Sequence, residues 1–239
     1  MSFYKALTPY YDDIFPTNQR TLSFLTSHFK EGSSILDIGA GTGNMAISLS
    51  HQGFHVTAAE PEKMMAEQVM QKAKSCEYPF KVITNTMQQI GELEETYDGI
   101  YCIGNTLVHL NELEEFHTFF EQTFQKLCPE GVFIIQIVNF DKVLVKKDFT
   151  FPMIKKDIFT FERQYELDGE HILFSTTLSV NDKSQTNTIP LYPITSTQLL
   201  PLLEQCGFEV IDAYGNFENK AYSIDSPALI VVAKKGKLS

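Results

Sequence analysis

The amino-acid sequence predicts a doubly wound α/β fold with an antiparallel β layer inserted late in the chain. Three observations carry this reading. Strand-length apolar runs alternate with helical patterns from about residue 18 to residue 138. A glycine-rich turn comes after the first of those runs, and after Asn139 the hydrophobic period shortens to nearly two.

Taken in order, residues 17–29 read as a helix with Thr17 or Asn18 at its N-cap. The run SILDI at 34–38 is apolar and ends in glycines, so it reads as a buried strand. Residues 45–52 continue as a helix and 54–59 as a second strand. The next helix spans 61–75, with Pro61 at its first position, where no amide hydrogen is needed. Two more strands lie at 80–84 and 97–103. Residues 111–127 give the clearest helix. Asn111 and Glu114 form an N-x-x-E start, a variant of the capping box, and Leu113, Phe116, Phe120, Phe124 and Leu127 repeat at helical spacing. The apolar run 132–138 after Gly131 fits an interior strand of a parallel sheet, joined to its neighbours by right-handed crossovers.

Residues 159–167 (FTFERQYEL) and 171–180 (HILFSTTLSV) alternate in polarity, and Asp168-Gly169 between them is a hairpin signal. Residues 140–193 therefore read as an inserted antiparallel β subdomain, with 1–139 and 194–239 forming the main domain. Helical spacing returns over 196–206. Gly207 ends it, and 208–214 and 228–233 read as closing strands.

Composition bounds the function. The chain has 239 residues, 43 % apolar and 21 % charged, which suits a globular protein with a substantial core. A net charge of −11 weighs against a broad basic surface and hence against nucleic acid as a partner, although Lys142, Lys146, Lys147, Lys155 and Lys156 leave room for a local basic patch. The start MSFYKALTPYYDD lacks the features of a signal peptide. No apolar run approaches the roughly 18–20 residues of a membrane span. Cys76, Cys102, Cys128 and Cys206 form no CxxC pair and read as free thiols in a reducing compartment. The expectation is a cytoplasmic monomer or homodimer without membrane contact or metal.

The chemistry concentrates in ILDIGAGTGN, residues 35–44. Gly39, Gly41 and Gly43 lie between a strand and a helix, where glycine permits a tight turn and close approach of a ligand to backbone. The dinucleotide fingerprint G-x-G-x-x-G is not met, because Asn44 stands where its third glycine belongs. Glu60 ends the second strand, 17 residues beyond Gly43, where an acid in nucleotide-binding α/β folds accepts hydrogen bonds from ribose hydroxyls. The alternative for Glu60 is an exposed carboxylate favoured by a helix N-terminus.

Residues 35–46, Glu60 and the segment YDGIYCIGN at 97–105 resemble the successive motifs of class I S-adenosylmethionine (SAM)-dependent methyltransferases. The resemblance covers most of the chain outside the insertion. It implies a Rossmann-like, seven-stranded sheet whose last strand is antiparallel, and SAM as cofactor. By the same resemblance Asp37 and the loop Gly39, Ala40, Gly41, Gly43 and Asn44 hold the methionine part, and Glu60 with Pro61 holds the ribose. Met64 or Met65 flanks the adenine, or is simply core. The family often carries an acid near the adenine amine after its third strand. Here that stretch is TNTMQ, so the backbone of Thr86 and Met87, or Asn85, takes its place. Tyr11 in the early YYD is assigned to the carboxylate end of the cofactor, with Arg20 a second candidate. Cys102 and Ile103 complete the cofactor set.

The segment CIGNTLVH at 102–109, at and beyond the fourth-strand end, resembles small-molecule N-methyltransferases of the glycine/sarcosine type, and no Asn-Pro-Pro-Tyr signature of nucleic-acid amino-methyltransferases is present. Asn105 orients an acceptor and His109 takes its proton, or His109 is a hydrogen-bonded helix-start residue. Arg163 and Tyr165 share one face of a strand and either contact the acceptor or are structural. The expected activity is in-line methyl transfer to a small-molecule acceptor. The alternatives are a non-catalytic SAM-binding module and an NAD-dependent oxidoreductase, the latter opposed by Asn44.

Overall fold

The computed structural model describes residues 6–147, 149, 151–181 and 183–236. A 3₁₀ turn at Thr8–Tyr10 runs into α1 (Tyr11–Ile14). Then comes α2 (Gln19–His28), capped by the Asn18 side chain, which accepts from the Arg20 amide at 2.9 Å. The alternation continues with β1 (Ser34–Ile38), α3 (Asn44–His51), β2 (His55–Ala59), α4 (Lys63–Ser75), β3 (Lys81–Ile83), β4 (Tyr97–Cys102), α5 (Leu113–Lys126) and β5 (Leu127–Val138). The segment after Asn139 contains α6 (Phe140–Lys146), β6 (Ile154–Lys155), β7 (Thr160–Asp168), β8 (His171–Val180) and β9 (Lys183–Leu191). The order ends with α7 (Ser196–Gln205), β10 (Phe208–Tyr214) and β11 (Ala228–Lys235).

Two sheets result. The larger has seven strands in the order β10-β11-β5-β4-β1-β2-β3, with β1 to β5 parallel and β11 antiparallel to both neighbours. The smaller is antiparallel, in the order β6-β7-β8-β9.

The large sheet is buried on both faces, so its strands are mainly apolar. Side-chain alternation then divides each strand between two cores. Leu36, Ile38, Phe133, Ile135, Ile137, Leu229 and Val231 pack with Phe116, Phe119 and Phe120 of α5 and Leu199 and Leu203 of α7. Ile35, Ile134, Ile230 and Val232 point the other way, onto Leu22, Phe24 and Leu25 of α2, Leu49 of α3 and Val69 of α4. Each such side chain contributes about 1.5–3 kcal/mol on full burial. Tyr165, Ile172 and Leu191 of the small sheet join the first core, which fixes that sheet over the C-terminal ends of the parallel strands.

Three local expectations need correction. The fourth helix begins at Lys63 rather than Pro61, because the Glu62 amide is drawn to Glu60 Oε1 at 2.8 Å and Glu62 stays extended. The start of α5 uses Glu115 rather than Glu114: its Oε2 accepts from the Asn111 amide at 2.8 Å, and Leu113 is left exposed. The insertion opens on a helix, α6, and not directly on strands. The Asn139 side chain caps it by accepting from the Lys142 amide, and Phe140 and Val143 bury one face. Among the described residues no helix is long and apolar enough to cross a membrane.

Candidate active site

The site grows from the turn between β1 and α3. Gly39 and Gly41 have φ of +76° and +60°, a region that side chains with a Cβ avoid. The surroundings exclude a Cβ as well. At Gly41 it would lie 3.0 Å from Tyr11 Cε1, and at Gly39 it would overlap the Thr106 methyl. The turn is thereby bare backbone, faced by Tyr11 on one side and Thr106 on the other.

The N-terminal turn is fastened to this loop by Asp12. Its carboxylate accepts from Thr42 Oγ1, from Asn44 Nδ2 at 2.8 Å and from Lys72 Nζ at 2.7 Å. Burial alone would raise the Asp12 pKa, but the Lys72 and Thr42 hydrogen bonds prevail and hold it below the ordinary carboxylate value. Asn44, which stands where a dinucleotide fold needs glycine, is one of the partners that Asp12 binds. Burial, then the charges of Glu60, Asp37 and Asp12, push the Tyr11 hydroxyl upward, so it remains a donor.

Two further carboxylates lie at the strand ends. Glu60 Oε2 accepts from the Gly41 amide at 2.8 Å and Oε1 from the Glu62 amide, leaving each oxygen a free acceptor position. Burial outweighs these bonds and pushes its pKa to about 7. Asp37 is 2 % exposed, and its Oδ2 is buried without a hydrogen-bond partner among the described residues. Burial raises its pKa to about 7; the neighbouring Tyr101 hydroxyl opposes that rise and Glu60 adds to it. Two desolvated carboxylates in one crevice attract a cationic ligand and repel a pyrophosphate. SAM carries an ammonium and a sulfonium, so the residues fit it. They fit a nicotinamide dinucleotide poorly.

Three cavities meet here. The first, of about 250 Å³, is lined by Tyr11, Gly39, Gly41, Glu60, Pro61, Met65, Asn85, Thr86, Met87 and His109. The third is lined by Asp37, Ala40, Asn44 and Ile103, among others. The second, of about 210 Å³, lies under the small sheet and is lined by Asn105, His109, Arg163 and Tyr165. Tyr11 and Gly104 border all three, and His109 borders the first and second.

Other candidates lie elsewhere. Gly43 faces Val69, and Cys102 is fully buried in the core; neither lines these cavities. Of the two methionines, Met65 and not Met64 reaches the first cavity. Arg20 is solvent-exposed and pairs with Glu218 at 3.1 Å. Residues without a recognisable sequence signal also line the site. Ile38 and Gln88 belong to the first cavity, Thr106 to the first and third, and Leu7, Phe15, Phe151, Phe161, Phe174 and Thr176 to the second. Phe161, Phe174 and Thr176 fall in the alternation of β7 and β8, but alternation alone does not say which face is inward.

Asn105 adopts φ +66° and its Oδ1 accepts from the Val138 amide at 2.9 Å, tying the end of β4 to the end of β5. Its side chain also hydrogen-bonds the Tyr165 hydroxyl, which burial pushes upward and which Arg163 and Asn105 restrain. Burial lowers the His109 pKa to about 4, so the ring is neutral at physiological pH.

Comparison with known proteins bears on the family and the fold. Residues 35–131 match a family model described as a methyltransferase domain. A glycine/sarcosine N-methyltransferase of Halorhodospira halochloris is 24 % identical, over 94 % of this chain and 85 % of its own. The putative methyltransferase YqeM of Bacillus subtilis is 25 % identical, over 98 % of both chains. The crystal structure of an S-adenosylmethionine-dependent methyltransferase from Clostridium acetobutylicum shares the fold with a TM-score of 0.85 at 15 % identity, covering 98 % of this chain and all of that one. The methyltransferase domain, the relatives and the shared fold together support a class I S-adenosylmethionine-dependent methyltransferase.

Proposed function

We propose that the protein methylates a small-molecule acceptor held in the second cavity, beneath residues 140–193, which act as a subdomain covering that site. The observation that carries this reading is the shared wall: Tyr11, Gly104 and His109 border both the cofactor cavity and the covered one. A group reaching from one cavity to the other passes these three residues. Similarity to a glycine/sarcosine N-methyltransferase supports a small-molecule acceptor.

When bound, SAM supplies a methyl group already activated by its sulfonium. The chain's own task is placement, which contributes about 7–11 kcal/mol in favourable cases. Glu60 offers its free lone pairs to ribose hydroxyls. Asp37 gives its orphaned Oδ2 to the cationic end, and Gly39 and Gly41 let that end approach backbone. Asn85, Thr86 and Met87 border the adenine end. Tyr11, held over the turn by Asp12, excludes water. Gly43 supports the turn through Val69, and Cys102 supports it from the core.

His109 is a weak base with a pKa near 4, so it serves as a neutral hydrogen-bond acceptor that aligns the N–H or O–H of the acceptor. Asn105 is a positioning residue that sets Tyr165 and the mouth of the cavity.

Calorimetry with SAM and with S-adenosylhomocysteine tests the cofactor half; absence of binding by both refutes it. Release of labelled methyl to small acceptors tests the other half, and SAM binding without turnover across a broad panel favours a binding module. His109→Gln, which alters one hydrogen-bond acceptor, is expected to lower kcat/KM for the acceptor about tenfold. The acceptor-saturated rate of the wild type is expected to show no His109 limb between pH 5 and pH 8, because burial moves the ring's pKa to about 4.

A further inference from the structure

The covered cavity differs in composition from the cofactor site. Phe15, Phe151, Phe161, Tyr165 and Phe174 line it. The rings meet edge to face: Phe151 and Tyr165 have centroids 4.7 Å apart at 84°, and Tyr165 and Phe174 are 5.4 Å apart. Such a wall favours a flat apolar body.

Within it lies one polar layer. In the register of β7 and β8, Phe161 pairs Leu178, Arg163 pairs Thr176 and Tyr165 pairs Phe174. Directly opposed residues of antiparallel strands share a face, so a cation and a hydroxyl stand side by side between two apolar layers. Both carry unmet hydrogen-bonding capacity. Thr176 is 2 % exposed, and its Oγ1 is buried with no hydrogen-bond partner among the described residues. Arg163 Nε is buried and equally unpartnered, while Nη2 donates to the Pro152 carbonyl at 3.1 Å.

The guanidinium carbon lies 5.0 Å from the Phe151 ring centroid and 5.9 Å from that of Phe161, which fixes the fork. Among the described residues Arg163 makes no salt bridge. A cation held between rings, with a free N–H beside a free hydroxyl, is a site for one oxyanion. Leaving such groups unpaired is costly, and a ligand that pairs them recovers that cost.

We propose that the acceptor is a ring-bearing carboxylate, its ring among Phe151, Phe161, Tyr165 and Phe174, its carboxylate on Arg163 and Thr176, and its methylated nitrogen or oxygen toward His109 and Gly104. This rests on the reading of the covered cavity as the acceptor site. A single negative charge matches a single cation with one N–H already engaged; a phosphate dianion calls for more donors. Glycine or sarcosine satisfies the polar layer but leaves the aromatic walls uncovered. An unsubstituted aromatic amine fills the walls and leaves the polar layer unmet.

The experiment is calorimetry and labelled-methyl transfer on the full chain. S-adenosylhomocysteine is titrated first; 4-aminobenzoate, 4-hydroxybenzoate, benzoate, aniline and glycine are then titrated into the saturated protein. The carboxylated rings are expected to bind at least tenfold more tightly than aniline or glycine, and an amino- or hydroxybenzoate to accept label from SAM. Arg163→Gln should weaken benzoate at least tenfold and leave aniline and S-adenosylhomocysteine unchanged. Arg163→Lys should recover part of the loss, and Thr176→Val, nearly isosteric, should weaken benzoate three- to tenfold.

Equal binding of aniline and 4-aminobenzoate overturns the proposal, as does tighter binding of glycine, or an Arg163→Gln protein that binds S-adenosylhomocysteine normally and benzoate undiminished. Those results leave the methyltransferase assignment standing. Failure to bind S-adenosylhomocysteine removes the proposed function and this inference together.

Discussion

The cavity proposed for the cofactor and the one proposed for the acceptor share Tyr11, Gly104 and His109, yet they are built of different material. The first is made of bare backbone at a glycine turn and of the buried Glu60 carboxylate, with Asp37 in the adjoining third cavity. The second is made of rings and one guanidinium spaced along two antiparallel strands. A backbone cradle tolerates no added atom, whereas a ring-lined cavity can exchange one ring for another. On the proposed assignment, the contrast lets one fold keep a fixed donor and vary what it modifies.

Changes on each side test this difference. The largest effect is expected from Gly39→Ala. The residue would occupy a left-handed conformation, and its methyl would overlap Thr106. Strain and overpacking together cost about 2–5 kcal/mol. Thermal unfolding and SAM calorimetry should record both a lower Tm and a loss of affinity; an unchanged affinity would break the claim that this turn is a cradle.

Asp37→Asn is expected to have opposite effects on stability and binding. The folded pKa of Asp37 is near 7 and its unfolded value near 4, so the native state binds the extra proton between those values. Stability of the ligand-free protein therefore falls as pH rises from about 4 to about 7. The variant should flatten that slope and gain about 1–3 kcal/mol at pH 8, while SAM binding weakens. Urea titrations across pH check the sign.

Asp12→Asn comes next. It retains the volume but loses the charge that holds Lys72, and the expected loss is about tenfold in SAM affinity. Because the folded pKa is depressed, the wild-type contribution is present at neutral pH and is lost only as pH falls below the ordinary carboxylate range. Arg20→Ala should do least, within about 0.5 kcal/mol by chemical denaturation, since its pair with Glu218 is solvated.

The same contrast governs how much was legible beforehand. The alternation of strands and helices, the glycine turn and Glu60 were readable because backbone rules constrain residue type there. Asp12 was visible as an early acid, but its attachment to Thr42, Asn44 and Lys72 spans 30 to 60 positions and arises from no local pattern. α6 was hidden because Phe140 and Val143 fall at the head of a region of period two. The ring wall was least legible. Period two states that Phe161, Arg163 and Tyr165 share a face, but only the packing of Tyr165, Ile172 and Leu191 into the main core shows where that face turns.

Tyr11 belongs to neither side of the comparison. Its ring borders all three cavities, and the segment carrying it is bound to the glycine loop through Asp12. A wall common to two cavities couples their binding equilibria to the extent that either ligand moves it. Whatever donor occupancy does to the position of that ring, the acceptor equilibrium must register, and reciprocally by the same factor.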